Sequence, residues 1–187
     1  MKNFKFIHPF LLAIFLNSAE SKEILGLNFC GKVSSEEIKK SIEKNDASFN
    51  EITTDVIADE LIFESKNYKI SDVPMKISFH SYKGNLYKIR IDEGRLISDI
   101  LKAKYGYLRE SFEDQGIITL KSYFYNSNDK NIDISLNYIE SIPLGNNLTF
   151  RQDYVEYLCK SIDKLVIAEK NKIESKKQLE KKGASKL

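Results

Sequence analysis

Alternation of apolar and polar residues is the feature that most limits how this chain can fold. Residues 77–80, 87–91 and 132–138 each place a large apolar side chain at every second position, with polar or charged residues between them. Successive side chains of a β-strand point to opposite faces, so each segment predicts a strand with one buried and one solvated face. Antiparallel sheets show this pattern, whereas strands of parallel sheets are apolar on both faces. We therefore expect a mainly antiparallel sheet.

The first two of these segments are close enough in sequence to form a hairpin. A two-residue loop at residues 84–85 would place His80 opposite Ile89, so that a polar and an apolar residue share one face. Both faces stay uniform when Phe79 lies opposite Ile89 instead. This register predicts a three-residue loop at residues 83–85.

Helices are expected at three places. Ser34 with Glu37 three residues later is a capping box, which predicts that a helix begins there. A second helix is predicted at residues 95–105, where Gly106 would end it, and a third at residues 153–168. A short strand at residues 23–30 precedes the first helix, and residues 49–63 are interpreted as two short strands.

This order of elements predicts an α+β fold. The expected architecture is a mainly antiparallel sheet with helices packed on one face, which two successive helix-then-strands units would build.

The amino-terminal segment has the layout of a secretory signal peptide. Residues 1–19 carry two lysines and no acidic residue, then an apolar run and two small residues. The run is shorter than the roughly 20 apolar residues that a membrane-spanning helix needs, so no permanent span is expected. Its removal would leave a single α+β domain at residues 20–168 and a lysine-rich, solvated or disordered tail at residues 169–187. The protein is then periplasmic or secreted.

Two cysteines fall in the predicted exported part, Cys30 and Cys159. In an oxidising compartment an even count favours a disulfide between them, the alternative being two buried free thiols. His80 is the one histidine after residue 19, so soft metal ligands are too few for a metal site. The sequence contains no glycine-rich phosphate loop, zinc-helix motif or dinucleotide fingerprint, so no cofactor is expected.

Charge argues against nucleic acid as a partner. The chain has 29 basic and 27 acidic residues, so its net charge supplies no strong field. Lysine also far outnumbers arginine, which is the better residue for bidentate contacts to phosphate or guanine.

A short motif near the amino terminus carries a resemblance to known folds. The stretch Leu25-Gly26, followed by Gly31, Ser34 and Glu37, is a glycine-containing strand that leads into a serine-capped helix. It resembles the helix-plus-antiparallel-sheet folds of β-lactamase inhibitor protein and of the small outer-membrane assembly lipoproteins, although the lipid-bearing cysteine of the latter is missing. The resemblance implies a binding role.

The polar faces of the predicted strands supply a candidate partner surface. Tyrosine and arginine are enriched at interface hot spots. Alternation is expected to turn one set of side chains away from the core: His80, Tyr82, Lys88, Arg90, Lys121, Tyr123 and Tyr125.

Three functions remain open at this stage. The first is an exported, non-enzymatic protein-interaction module, such as an inhibitor, an immunity-type or an envelope accessory protein, with a cell-envelope protein as partner. The second is a carrier of a small apolar ligand in a helix–sheet pocket, and the third is a hydrolase. A pocket lined by Phe and Ile would favour the carrier, whereas a tyrosine-rich sheet face would favour the interaction module.

Overall fold

The computed structural model describes residues 23–45, 49–53, 57–116, 118–141 and 151–184. The predicted signal peptide at residues 1–19 lies outside these ranges. The described chain opens with two very short antiparallel strands, β1 (Glu23–Ile24) and β2 (Leu27–Asn28). Leu25 and Gly26 between them have positive φ angles of 55° and 76°, which form a tight turn. This turn divides the single strand that the sequence predicted.

Helix α1 (Ser35–Asn45) begins at the predicted capping box. The Ser34 amide donates to Glu37 Oε2 at 2.7 Å, and the Glu37 amide donates to Ser34 Oγ at 3.2 Å. Its apolar side chains Ile38 and Ile42 are fully buried. The prediction of this helix is confirmed.

The main sheet of the described chain has eight strands, every pair of which is antiparallel. They are β3 (Phe49–Thr53), β4 (Glu60–Ile70), β5 (Val73–Tyr82), β6 (Asn85–Asp92), β7 (Tyr107–Asp114), β8 (Ile118–Tyr125), β9 (Ile132–Ser141) and β10 (Arg151–Cys159). Their spatial order is β3-β4-β5-β6-β10-β9-β8-β7. The last strand therefore joins two meanders at the centre, and the predicted α+β class is confirmed.

The β5–β6 hairpin has the predicted buried and solvated faces, but its loop and register differ from the prediction. Phe79 pairs with Ile89 as predicted, but the loop has only two residues, Lys83 and Gly84, with φ angles of 51° and 73°. The register shifts directly after His80, so the extra residue lies in a β-bulge rather than in the loop. The three-residue loop was wrong because a bulge also restores uniform faces, and it permits the tight turn that suits strand twist.

The predicted third helix was wrong in its first half. Residues 151–159 form β10, and α3 spans Lys160–Ala184. The apolar residues of this segment fit both a helical and an alternating period. Pairing with β6 on one side and with β9 on the other buries Val155 and Tyr157. These contacts with neighbouring strands stabilise the segment as a strand rather than as a helix.

A 3-10 turn (Gly94–Ile97) and helix α2 (Ser98–Tyr105) confirm the second predicted helix, and Gly106 ends it at φ 69°. Gly94 lets this segment approach the sheet closely. A Cβ there would lie 2.7 Å from Leu136 Cδ1 and 2.8 Å from Val155 Cγ2.

Two helices share one face of the sheet and the third lies on the other. One face, here called the core face, carries Phe79, Ile89 and the side chains on the same side of the sheet. Helix α1 contacts this face, since Asn45 Nδ2 donates to the Tyr68 hydroxyl and the Tyr68 ring packs on Phe79. Helix α2 joins the same face through Tyr105, which packs edge-on against Tyr157 at 6.2 Å.

Helix α3 crosses the opposite face, here called the polar face. Its Lys160 pairs with Asp133 at 3.0 Å and its Lys170 with Glu60 at 3.4 Å. Both acidic side chains belong to the polar face, because their strand registers align them with His80 and Lys88. Helix α3 continues without a break past residue 168, and the described side chains beyond Lys170 are mostly exposed.

A disulfide joins Cys30 to Cys159, whose Cα atoms are 5.4 Å apart and whose sequence positions differ by 129. This confirms the predicted pair. It attaches the segment after β2 to the end of β10, directly before α3. No helix within the described ranges is long and apolar enough to cross a membrane.

Candidate interaction surface

The predicted surface residues of the hairpin share the polar face, but α3 covers part of them. His80, Lys88 and Arg90 are partly buried there, and Tyr82 is only 5% exposed. Tyr82 pairs with Glu60, the partner of Lys170 on α3, so it lies beneath the helix. The sequence did not reveal this because the helices were expected together on one face of the sheet, whereas α3 lies on the other.

The other three predicted residues lie on the core face, so the prediction of one shared outward face was wrong. Tyr123 pairs with Leu136 and Tyr125 with Ile134, and direct partners in an antiparallel pair project to the same side. Lys121 has the same parity as both tyrosines. The error arose because aromatic residues occupy both parities here, so alternation alone did not decide which of them face the core. Phe124 projects to the polar face, where Arg109 stacks on its ring at 4.0 Å.

A buried polar cluster lies where α3 meets the polar face. The Tyr87 hydroxyl donates to Glu60 Oε1 at 2.6 Å, and Lys170 Nζ lies 3.4 Å from Glu60 Oε2. Burial raises the pKa of Glu60, but the Tyr87 hydrogen bond and the Lys170 charge outweigh it, so that this pKa is lower than usual. Glu60 is therefore a buried carboxylate that attaches α3 to the sheet.

Ser78, His80 and Glu60 in this cluster are arranged as a serine, a histidine and a carboxylate are in a hydrolytic triad. His80 Nε2 shares a hydrogen bond of 3.2 Å with Ser78 Oγ, and His80 Nδ1 lies 4.0 Å from Glu60. Burial, followed by the nearby Lys88 charge, lowers the pKa of His80 to about 4. A general base works best with a pKa near the operating pH. With so low a pKa, His80 is poorly matched to activating Ser78 at neutral pH, and the cluster fits a structural role.

A second site, here called the tyrosine pocket, lies between α2 and strands β7–β9. Gly106 ends α2 with a positive φ and turns the chain back into β7, whose first residue, Tyr107, stands at the pocket wall. The cavity measures about 300 Å³. Its lining residues are Ser98, Asp99, Lys102, Tyr107, Tyr123, Tyr125, Leu136 and Tyr138.

The tyrosine rings enclose this pocket from different directions. Tyr107 and Tyr123 have ring centroids 6.2 Å apart at 52°, and Tyr123 and Tyr138 are 5.6 Å apart at 82°. Burial raises the pKa of Tyr125 and of Tyr138, so both hydroxyls are protonated at neutral pH. The pocket therefore offers ring faces and neutral hydroxyl groups.

Strand β7 forms one edge of the sheet beside the pocket. All eight of its residues are exposed, including Leu108 at 57% and Phe112 at 68%. The Gln115 amide donates to the Ile118 carbonyl, so antiparallel alternation turns the backbone groups of Glu110 and Phe112 away from β8. No strand of the described chain pairs with this outer side.

The β7 edge and the tyrosine pocket form one continuous surface on the core face. Glu110 pairs with Tyr123, and Phe112 pairs with Lys121. Strand β7 was not predicted from the sequence because it has no buried face and hence no alternation. The only signal for it was the end of α2 at Gly106.

The fold and these surfaces define an α+β protein with a disulfide-linked sheet whose β7 edge is exposed. Comparison with protein-family models, with curated proteins and with solved structures gives no match to the chain.

Proposed function

We propose that the protein is an exported, non-enzymatic protein-interaction module, and that its partner adds an extended strand to the β7 edge. The observation that supports this most directly is the strand itself. It is eight residues long, exposed at every position, and leaves backbone donors and acceptors on its outer side. Addition of a strand to such an edge is a recurring mode of peptide recognition.

The charge of β7 indicates the chemistry of that partner. The strand carries Glu110, Glu113 and Asp114 against the single basic residue Arg109. Two copies of an acidic strand repel each other, which disfavours self-association through this edge. A partner strand with lysine or arginine residues, and an apolar side chain against Phe112, complements it.

The tyrosine pocket favours an interaction module over an apolar carrier. Four of its lining residues are tyrosines, and a second cleft of about 640 Å³ beside α1 is lined by charged residues such as Lys40 and Lys44. The tyrosine pocket has neither Phe nor Ile in its lining, and the cleft mixes apolar residues such as Leu25 and Ile70 with charged ones and has no Phe. Neither lining is the Phe and Ile lining expected for an apolar carrier. Large tyrosine side chains beside an exposed edge are instead typical of partner contacts.

The Cys30–Cys159 disulfide is compatible with an oxidising compartment, which supports export. The intact mass of the protein from its native host tests this part of the proposal. The mass should lack residues 1–19. A full-length species as the main product would contradict export.

Backbone pairing at β7 is tested by Glu110→Pro, with Glu110→Ala as the matched control. Proline removes the outward amide hydrogen that a partner strand needs, whereas alanine keeps it. Both variants are used to capture envelope proteins, and a photo-crosslinking residue at Phe112 identifies the contact. Ile167, which is 48% exposed on α3, serves as the control position.

The expected result is a single partner that crosslinks from position 112 and not from 167. Glu110→Pro should abolish its capture while Glu110→Ala retains most of it. Circular dichroism and melting of the two variants should agree. Equal capture by both variants would show that no strand pairs with β7.

A further inference from the structure

The tyrosine pocket combines ring faces with one acidic and one basic side chain at its mouth. Tyr107, Tyr123 and Tyr138 have ring planes that differ by 52° and 82° in successive pairs, so they bound the space as walls rather than as a stack. Asp99 and Lys102 lie one helical turn apart on α2 and complete the lining. This arrangement is independent of the backbone edge of β7.

Ring faces of this kind attract cations. The quadrupole of an aromatic ring is negative at its faces, and aromatic cages bind quaternary ammonium groups. The chain itself places an ammonium against one of these rings, because Lys121 Nζ lies 4.9 Å from the Tyr123 centroid. The carboxylate of Asp99 is close enough to raise the pKa of Tyr125, after the larger effect of burial. Because Lys121 already occupies one side of the Tyr123 ring, a ligand cation meets the remaining tyrosine surface of the pocket and the negative charge of Asp99.

Lys102 supplies a positive charge that would bind an anionic group of the ligand. A ligand with only a positive charge would be repelled by this lysine, which lines the same cavity. A zwitterion places its ammonium among the rings and its anionic group beside Lys102. The volume of about 300 Å³ suits a small head group of this kind.

We propose that the tyrosine pocket binds a phosphocholine-like zwitterion, with the methylated ammonium among the tyrosine rings and the phosphate at Lys102. This goes beyond the proposed partner contact at β7, because it uses the side chains that line the pocket, Tyr107 of β7 among them, rather than the outward backbone groups of β7. The same head group occurs free and on lipids, so both sources are tested.

Titration of the full protein with phosphocholine by calorimetry, and by NMR of the tyrosine rings, measures the binding. The control ligand is 3,3-dimethylbutyl phosphate, which keeps the shape and the phosphate but replaces the charged nitrogen by carbon. The control should bind about tenfold more weakly, because it has no cation–π attraction. Equal binding of both ligands, or no binding of phosphocholine, would overturn the proposal.

Variants separate the two halves of the site. Tyr123→Phe should keep the affinity for phosphocholine, and Tyr123→Leu should reduce it about tenfold, because only the ring face matters. Lys102→Gln should weaken phosphocholine without weakening tetramethylammonium. An unchanged affinity in Tyr123→Leu, or equal loss of both ligands in Lys102→Gln, would refute the assignment.

Vesicles distinguish the sources of the head group. Sedimentation with phosphatidylcholine vesicles, compared with vesicles of phosphatidylglycerol, shows whether the pocket reaches a lipid head group. Binding to soluble phosphocholine alone would assign a free ligand, and binding to both would assign the lipid. Glu110→Pro and Glu110→Ala should bind phosphocholine equally, because both lack the carboxylate beside Tyr123 and differ only in the outward backbone N–H. A failure of the β7 proposal is therefore distinguishable from a failure here.

Discussion

Acidification should weaken the fold through His80. Burial, then the charge of Lys88, lowers its pKa from 6.5 to about 4, while Glu60 opposes this and Lys170 on α3 adds to it. Between these two pH values the unfolded chain binds a proton that the folded chain does not. The contribution of the neutral His80 ring to the unfolding free energy is therefore fully present above about pH 6.5 and is lost as pH falls toward 4. A shift of this size corresponds to about 3 kcal/mol of unfolding free energy.

Urea unfolding between neutral pH and about pH 4 measures this loss, with His80→Gln as the reference protein. Glutamine is neutral at every pH and offers Ser78 a polar partner. Carboxylates distant from His80 titrate alike in both proteins, so their effect cancels in the difference. Across this range, acidification should lower the unfolding free energy of the wild type by about 3 kcal/mol more than that of His80→Gln.

Two outcomes would refute this reasoning. One is a constant difference in unfolding free energy between the two proteins at all pH values. The other is an NMR titration of the His80 ring with a midpoint near the unperturbed value of 6.5. Because His80 is the one histidine after residue 19, its ring signals are assigned without ambiguity in protein prepared without residues 1–19.

Three further predictions concern stability and are checked by thermal melting. Reduction of Cys30–Cys159, whose positions differ by 129, should lower the melting temperature, since the chain-entropy model gives roughly 5 kcal/mol and typical measurements about 2 to 4; two alkylatable thiols before reduction would disprove the bond. Ser34→Ala should cost about 1 kcal/mol through loss of the α1 cap, and Ser35→Ala, one residue on, should cost less; equal losses would contradict the capping role. A chain that ends at Lys170 should melt within a few degrees of the full chain, because the removed turns of α3 are exposed; a large loss would mean that they pack on the body.

Sequence patterns predicted the elements whose burial is one-sided. The segments around Phe79, Ile89 and Ile134 alternate cleanly, and all three became strands with the expected faces. The capping box at Ser34 and the stop at Gly106 depend on local hydrogen bonds and backbone angles, which a few residues determine. Such features can be read without knowledge of the tertiary structure.

Other features depend on contacts that no local pattern encodes. Strand β7 has no buried face, so it leaves no periodic signal. The facing of Tyr123 could not be inferred because aromatic residues occupy both parities around it, and only the pairing with Leu136 decides. The cover of Tyr82 arises from the path of α3, which is held by a contact between Lys170 and Glu60 that is distant in sequence.

The position of the disulfide also affects how the protein responds to cleavage. Every strand of the eight-stranded sheet, from Phe49 to Cys159, lies inside the covalent ring that Cys30 and Cys159 close. One protease cut in any loop of that ring leaves the two fragments joined as a single molecule. Such a nicked protein would migrate as two bands only after reduction, whereas a cut in α3 releases its outer turns at once.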